Sequence, residues 1–287
     1  MKAQRRIKLL FLLGCLIAAG YVLVECQRFE EPKIIHRIYL PMVVKVTIAL
    51  KGVGQSAPVC ADVGAVSASW YYNWYAHPTK GCDTDRFVPM IYGIDLSALS
   101  TAVHYAELGD GWILGFNEPD LNGVSVVEGA VAWRQIEEQN VNLVSPAPSQ
   151  HNPDWLWQMV DEYQHRYGTR PRFDAIAAHI YTNDPQIAKD YLIARHNEAL
   201  RYGYDVPVWV TEWGGLCTLP DPQNGNLTMM QEMIPWMRRQ GWIARYAWFA
   251  SRISENEPWG SGWQHCSLID AATGKLTNLG KTYRGSE

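Results

Sequence analysis

From about residue 46 onward, short runs rich in Val, Ile, Trp and Tyr alternate with longer stretches whose apolar residues recur at helical spacing. Short runs of this kind suit strands, and the longer period suits helices that cover them, so successive βα units around a parallel sheet are predicted. Eight strands are expected, at 46–53, 65–71, 87–92, 112–116, 142–145, 175–180, 208–211 and 245–249. Helices are expected at 96–107, 126–139, 155–168, 188–203 and 228–241, the last kinked or split by Pro235. The link after the first strand is too short for a full helix, so an irregular first βα unit is anticipated. Residues 46–287 have the size of one (β/α)8 TIM barrel, an α/β fold of about 250 residues.

The first 45 residues have a different character. Lys2, Arg5, Arg6 and Lys8 precede a charge-free apolar run from Leu9 to Val24, the pattern of a signal peptide or N-terminal membrane anchor over 1–26. As a helix that run would reach roughly 24 Å, short of a hydrocarbon core of about 30 Å, so cleavage competes with anchoring. Ala18-Ala19-Gly20 offers a small-residue cleavage site, and the stretch ending at Cys15 loosely resembles a bacterial lipoprotein box. Residues 27–45, with Pro32 and Pro41, read as a linker. The protein is therefore expected to be secreted or membrane-anchored on the extracytoplasmic side.

Cysteine usage agrees with export. Cys60, Cys82, Cys217 and Cys266 lie in the body of the chain and allow three connectivities. Cys60 with Cys82 and Cys217 with Cys266 is the favoured pairing, because each would staple a loop beside a predicted strand end. Their spacings lack the paired C-x-x-C pattern and the neighbouring histidines of a zinc site, so no metal is expected. A composition of 47% hydrophobic and 19% charged residues is that of a globular protein, and a net charge of −4 offers no basic surface for nucleic acid.

In a barrel of this kind, catalytic groups gather at the C-terminal ends of the strands. The fourth predicted strand runs into Asn117-Glu118-Pro119, and the seventh into Thr211-Glu212-Trp213. Glu is not a preferred turn residue, so its place at a strand end needs a reason other than turn formation. Two carboxylates facing each other across a cleft are what cleavage of a glycosidic bond requires, one protonating the leaving oxygen and one attacking the anomeric carbon. A separation of about 5–5.5 Å would leave no room for an intervening water and give a retaining reaction. The acid must then keep its proton while the nucleophile stays ionised through hydrogen bonds.

The motifs "GFNEPD" (115–120), "WVTEWGG" (209–215), "SWYYNW" (69–74), "FVPMIYG" (87–93), "AAHIY" (177–181) and "YAWF" (246–249) together resemble glycoside hydrolase family 128, a clan A barrel family with endo-β-1,3-glucanases. The resemblance covers roughly residues 50–282. It implies Glu118 as acid/base, Glu212 as nucleophile and Asn117 as a hydrogen-bond partner of the sugar 2-hydroxyl. Trp213 stands where the family often has Phe. His179 and Tyr181, at the end of the sixth strand, are expected to touch Glu212 or the sugar.

Aromatic side chains stack on the apolar faces of sugars but also fill cores. Trp70, Tyr72, Asn73, Trp74, Tyr92, Trp213 and Trp248 fall at strand ends and are taken as substrate-binding candidates, with Trp259 and Trp263 in a later loop as a further platform. Trp112, Trp133, Trp155, Trp157, Trp236 and Trp242 are assigned to packing. No P-loop, dinucleotide fingerprint, zinc-protease motif or nucleophile elbow is present, and no cofactor is implied. The expected partner is a β-glucan polysaccharide, met by a monomer, with another β-linked polysaccharide or non-catalytic sugar binding as alternatives. Asn226-Leu227-Thr228 forms an N-glycosylation sequon.

Overall fold

The computed structural model describes residues 15–18, 21–24, 38–39, 49–217, 225–254 and 262–286. The chain divides into two units, Met1–Val46 and Thr47–Glu287. In the first, Cys15–Ala18 pairs antiparallel with Tyr21–Val24, which pairs with Ile38–Tyr39. These described parts of the predicted signal or anchor are thus extended rather than helical. The rest of that segment, most of the predicted linker and Trp259 of the predicted platform lie outside the described residues. No helix among the described residues is long and apolar enough to cross a membrane.

Among the described residues, the second unit has seven strands: β1 (Leu50–Gly54), β2 (Trp70–Tyr72), β3 (Trp112–Leu114), β4 (Asn142–Val144), β5 (Ile176–Tyr181), β6 (Val208–Gly214) and β7 (Ile243–Trp248). All their pairings are parallel, in the order β2-β1-β7-β6-β5 and, separately, β3-β4. Single parallel bridges join the remaining neighbours: Tyr71 to Phe87, Met90 to Leu114, and Val144 to Ala175. The segment 87–90 thus takes the third place in a ring of eight, as a bridging stretch rather than the predicted strand. Pro89 has no N–H to give to a ladder, which limits pairing there.

Helices α1 (Ala61–Ala65), α2 (Leu99–Leu108), α3 (Val126–Ile136), α4 (Trp155–Tyr167), α5 (Pro185–Arg201), α6 (Gly225–Arg239) and α7 (Asn278–Gly285) pack outside the strands. The first βα unit is irregular, as expected: α1 occupies the start of the predicted second strand, so β2 begins only at Trp70. Helix α5 starts three residues earlier than predicted because Asp184 caps it and Pro185 occupies the first turn. Helix α6 runs through Pro235 as one element rather than splitting. Helix α7, not foreseen, is held to the first strand by Lys51 Nζ donating to Tyr283 O at 2.8 Å and by Tyr283 OH donating to Gly52 O.

Side chains alternate along each strand, and this parity divides two cores. Trp70, Tyr72, Leu114, Val144, Ala175, Ala177, Trp209 and Ala247 fill the ring interior. Tyr71, Ile113, Leu143, Ile176, Val210, Tyr246 and Trp248 face the helices. Trp70 fits only because position 52 is glycine: a Cβ there would lie 2.3 Å from its indole. Below the site, the Arg245 guanidinium lies 4.1 Å from the Trp209 ring centre and also faces Trp70 and Trp112, with Asp110 as its ion partner. Both predicted disulfides form, Cys60–Cys82 and Cys217–Cys266.

Candidate active site

Glu118 lies four residues beyond the end of β3. The backbone is carried there by Asn117 N donating to Tyr92 O at 2.9 Å and Glu118 N to Ala147 O at 2.8 Å. Glu118 has φ of 38°, a left-handed conformation that a residue with a Cβ rarely adopts. Its carbonyl accepts from Leu121 N, Asn122 N and Asn122 Nδ2, which folds the following loop back and holds that conformation. The loop is fixed further by Asp120, whose carboxylate accepts from both Ser149 N and Ser149 Oγ. Gly115 is required just upstream, since a Cβ would meet the Ser145–Pro146 backbone at 2.7 Å.

Glu212 reaches the interior by a different device. Simple alternation from the inward Trp209 would point residue 212 at the helices and residue 213 into the ring. The pairing shifts by one residue, however: Ala178 opposes Val210 but His179 opposes Glu212, and on the other side Tyr246 opposes Val210 but Trp248 opposes Trp213. One extra residue in β6, a β-bulge at Thr211, reverses the parity, turning Glu212 inward and Trp213 outward. Trp213 accordingly packs edge-on against Trp248 and Tyr246 in the outer core.

The two carboxylates and His179 converge. One ligating atom from each of Glu118, His179 and Glu212 lies within 4.8 Å of the other two. His179 Nδ1 is 3.1 Å from Glu118 Oε1 and 3.6 Å from Glu212 Oε2, so the imidazole lies between them. Glu212 Oε1 accepts from Trp74 Nε1 at 2.9 Å, and Oε2 accepts from Tyr181 OH at 2.6 Å. By distance alone the three could approach one cation. These internal donors already occupy both Glu212 oxygens, and Nδ1 already contacts Glu118.

Burial sets the electrostatics. Glu212 is 4% exposed and its carboxyl is pushed above the usual carboxylate range, first by desolvation and then by the Glu118 charge. His179, Tyr181 and Trp74 pull the other way without cancelling the rise. The hydrogen bonds expected to favour the ionised nucleophile are present, from Trp74 and Tyr181, and they work against the burial that raises it. Burial of His179 disfavours its charged form, but Glu212 and Glu118 outweigh this and hold its pKa above the ordinary value. Tyr181 and Tyr72 are pushed well above the usual phenol range, by burial first and by the Glu212 charge second, so both remain donors.

The other sequence-selected residues divide. Trp74 and Tyr181 touch Glu212 directly, Tyr92 is exposed at the rim, and Asn117 is buried with no partner for its Oδ1 among the described residues. Trp70, Trp213 and Trp248 are corrected to packing: each is at most 1% exposed, Trp70 inside the ring and the other two beneath the helices. Tyr72 is also enclosed, and its hydroxyl donates to Thr211 O at 2.8 Å, which supports the bulge instead of facing sugar. Asn73 closes a turn, its Nδ2 donating to His77 O and its Oδ1 accepting from Tyr75 N. The sequon residue Asn226 is buried and accepts from Gly215 N, so it is closed to glycosylation in the folded chain.

Sequence reasoning missed Phe249 and Gln150. Phe249 joins Trp74, Tyr181 and Trp263 in a wall of edge-on rings with centroids 5.4–5.7 Å apart. Its place directly after the β7 end was the available signal. Gln150 bonds both backbone groups of Tyr181, and no motif announced it.

Residues 53–283 match the model of the glycosyl hydrolase catalytic core family. Among solved structures, a subgroup I endo-β-1,3-glucanase of glycoside hydrolase family 128 from Amycolatopsis mediterranei, in complex with laminaripentaose, is 26% identical. That match covers 83% of this chain and all of that one, with a TM-score of 0.65. A curdlan-specific exo-β-1,3-glucanase from Blastomyces gilchristii, of subgroup III and in complex with glucose, has a TM-score of 0.65 at 24% identity, over 82% of this chain and 97% of that one. A subgroup II endo-β-1,3-glucanase from Sorangium cellulosum has a TM-score of 0.62 at 24% identity, over 83% and 99%. At 24% the likeness is one of fold. A comparison with curated proteins gives no match.

Proposed function

The chain belongs to the glycosyl hydrolase catalytic core family, in glycoside hydrolase family 128, and from that premise we propose that it cleaves β-1,3-glucan with retention of anomeric configuration. The observation that carries this reading is the approach of Glu118 and Glu212, with ligating oxygens within 4.8 Å. That spacing fits the retaining geometry of about 5–5.5 Å and leaves no space for a water between the carboxylates. Glu118, the more exposed of the two, protonates the leaving oxygen and later activates water. Glu212, gripped by Trp74 and Tyr181, attacks the anomeric carbon.

Asn117, whose buried Oδ1 has no partner among the described residues, is the candidate for the sugar 2-hydroxyl. Trp74, Tyr181 and Trp263, partly exposed around Phe249, and Tyr92 at the rim are candidate sugar contacts. His179 holds the carboxylates at a fixed separation. The basic and apolar start of the chain and its two disulfides support an exported enzyme, with residues 1–26 as signal or anchor, 27–45 as linker and 46–287 as catalytic domain.

The test is to incubate the protein with laminarin, curdlan, cellulose and xylan and assay new reducing ends, following the anomer first released by proton NMR. Release of the β-anomer from laminarin or curdlan is expected. Glu118→Gln and Glu212→Gln should each abolish nearly all turnover while the fold is kept. An α-anomer as first product, or turnover surviving either change, would overturn the assignment; activity confined to cellulose or xylan would move the substrate to another β-linked polysaccharide.

A further inference from the structure

Strand β5 is paired unequally on its two sides. On one it follows β6 to its end, with Tyr181 opposite Gly214. On the other, Ser145 N donates to Ala175 O, and among the described residues no backbone hydrogen bond joins the two segments beyond it. The reason is in the sequence: the chain after β4 reads Ser145-Pro146-Ala147-Pro148, and two prolines have no N–H to offer. Buried backbone groups left unmet are costly, so something must replace the missing neighbour.

Side chains do so. Ala177 N donates to Ser145 Oγ at 3.0 Å. At the last residue of the strand, Tyr181 N donates to Gln150 Oε1 while Gln150 Nε2 donates to Tyr181 O at 3.1 Å. A primary amide offers one acceptor and two donors, and here it presents the same donor–acceptor pair that an adjacent strand would. The residue held in this way is the one whose hydroxyl bonds Glu212 Oε2.

We propose that Gln150 is a positioning residue, its side-chain amide standing in for an absent strand and fixing Tyr181 so that the phenol keeps its bond to Glu212. The inference rests on Glu212 acting as nucleophile in the reading above. Without Gln150, Thr182 N still donates to Gly214 O of β6, but Tyr181 loses the partner of both its own backbone groups, and the hydroxyl is free to drift from Oε2. The charged and titratable groups facing Glu212 are Glu118, His179, Tyr181 and Tyr72, with Asp120 acting on His179 from further out.

The experiment uses the full chain and reads Glu212 ionisation without relying on turnover. The Trp74 indole N–H donates to Glu212, so its proton resonance, followed against pH, reports that carboxyl. Because the Tyr181 bond favours the ionised form, Gln150→Ala should move the midpoint upward, Tyr181→Phe should do the same, and the double variant should add nothing further. On laminarin, Gln150→Ala should lower kcat/KM about tenfold, mostly in kcat, with no added loss in a Tyr181→Phe background. Gln150→Met, similar in length but unable to bond, repeats the test if the alanine variant misfolds. An unmoved midpoint, or an equal loss in both backgrounds, would reduce Gln150 to a loop fastener and overturn the proposal. A wild type inactive on every glucan would instead sink the functional reading, while the midpoint would still decide the role of Gln150.

Discussion

Replacing Trp74 with Phe separates two roles that the sequence could not. A ring at a strand end invites the reading of a sugar platform, whereas the structure makes its indole N–H a donor to Glu212 Oε1 at 2.9 Å. Phenylalanine keeps an aromatic face of similar reach between Tyr72 and Phe249 but has no N–H to give. The acceptor is a carboxylate buried to 4% exposure, so water cannot replace the lost donor. A hydrogen bond to a charged group contributes about 1.5–3 kcal/mol, which converts to a fall of about 10- to 150-fold in kcat/KM. The Glu212 carboxyl, already raised, should rise further without this donor, so the acidic limb of the kcat/KM profile moves to higher pH and part of the loss recovers there. Steady-state kinetics on laminarin across pH is the assay. A variant with unchanged kcat and pH profile but a higher KM would show that Trp74 serves only as a platform and would refute the donor role.

Two further outcomes follow from burial and cross-linking. Glu212→Gln should melt at a higher temperature than the wild type at neutral and alkaline pH and equally at low pH. The folded carboxyl titrates above its unfolded value, so the stability tied to its protonated form is complete below the unfolded pKa and is lost as pH rises through the folded one; melting curves across pH that stay parallel would contradict this. Removing the Cys217–Cys266 bond, which spans 49 residues and closes on the loop after Glu212, should cost about 4 kcal/mol on chain entropy, read as a fall in melting midpoint of Cys266→Ala in denaturant.

How much was legible depends on whether local pattern or long-range pairing decides a residue's place. The ring order, both glutamates, His179, Tyr181 and both disulfides follow from strand rhythm, motif position and loop geometry. The aromatic assignments failed where parity decided: Trp70 lies deep in the ring, and Trp248 alternates outward beside the inward Ala247. Trp213 failed for another reason, since the shift at Thr211 exists only in the pairing with β5 and β7. Gln150 was invisible because its partners are backbone groups 31 residues away, in a strand whose unmet edge appears only once the prolines are set beside it.

The single surplus residue in β6 makes the chemistry of this enzyme a question of odd and even. Laid out in unbroken alternation from Trp209, the same residues would make a strand just as apolar, yet turned inside out, with an indole in the chamber and an acid pressed among the helices. Composition and mean hydropathy are the same in the two arrangements. Anyone transplanting this strand into another ring would have to carry the miscount along with it.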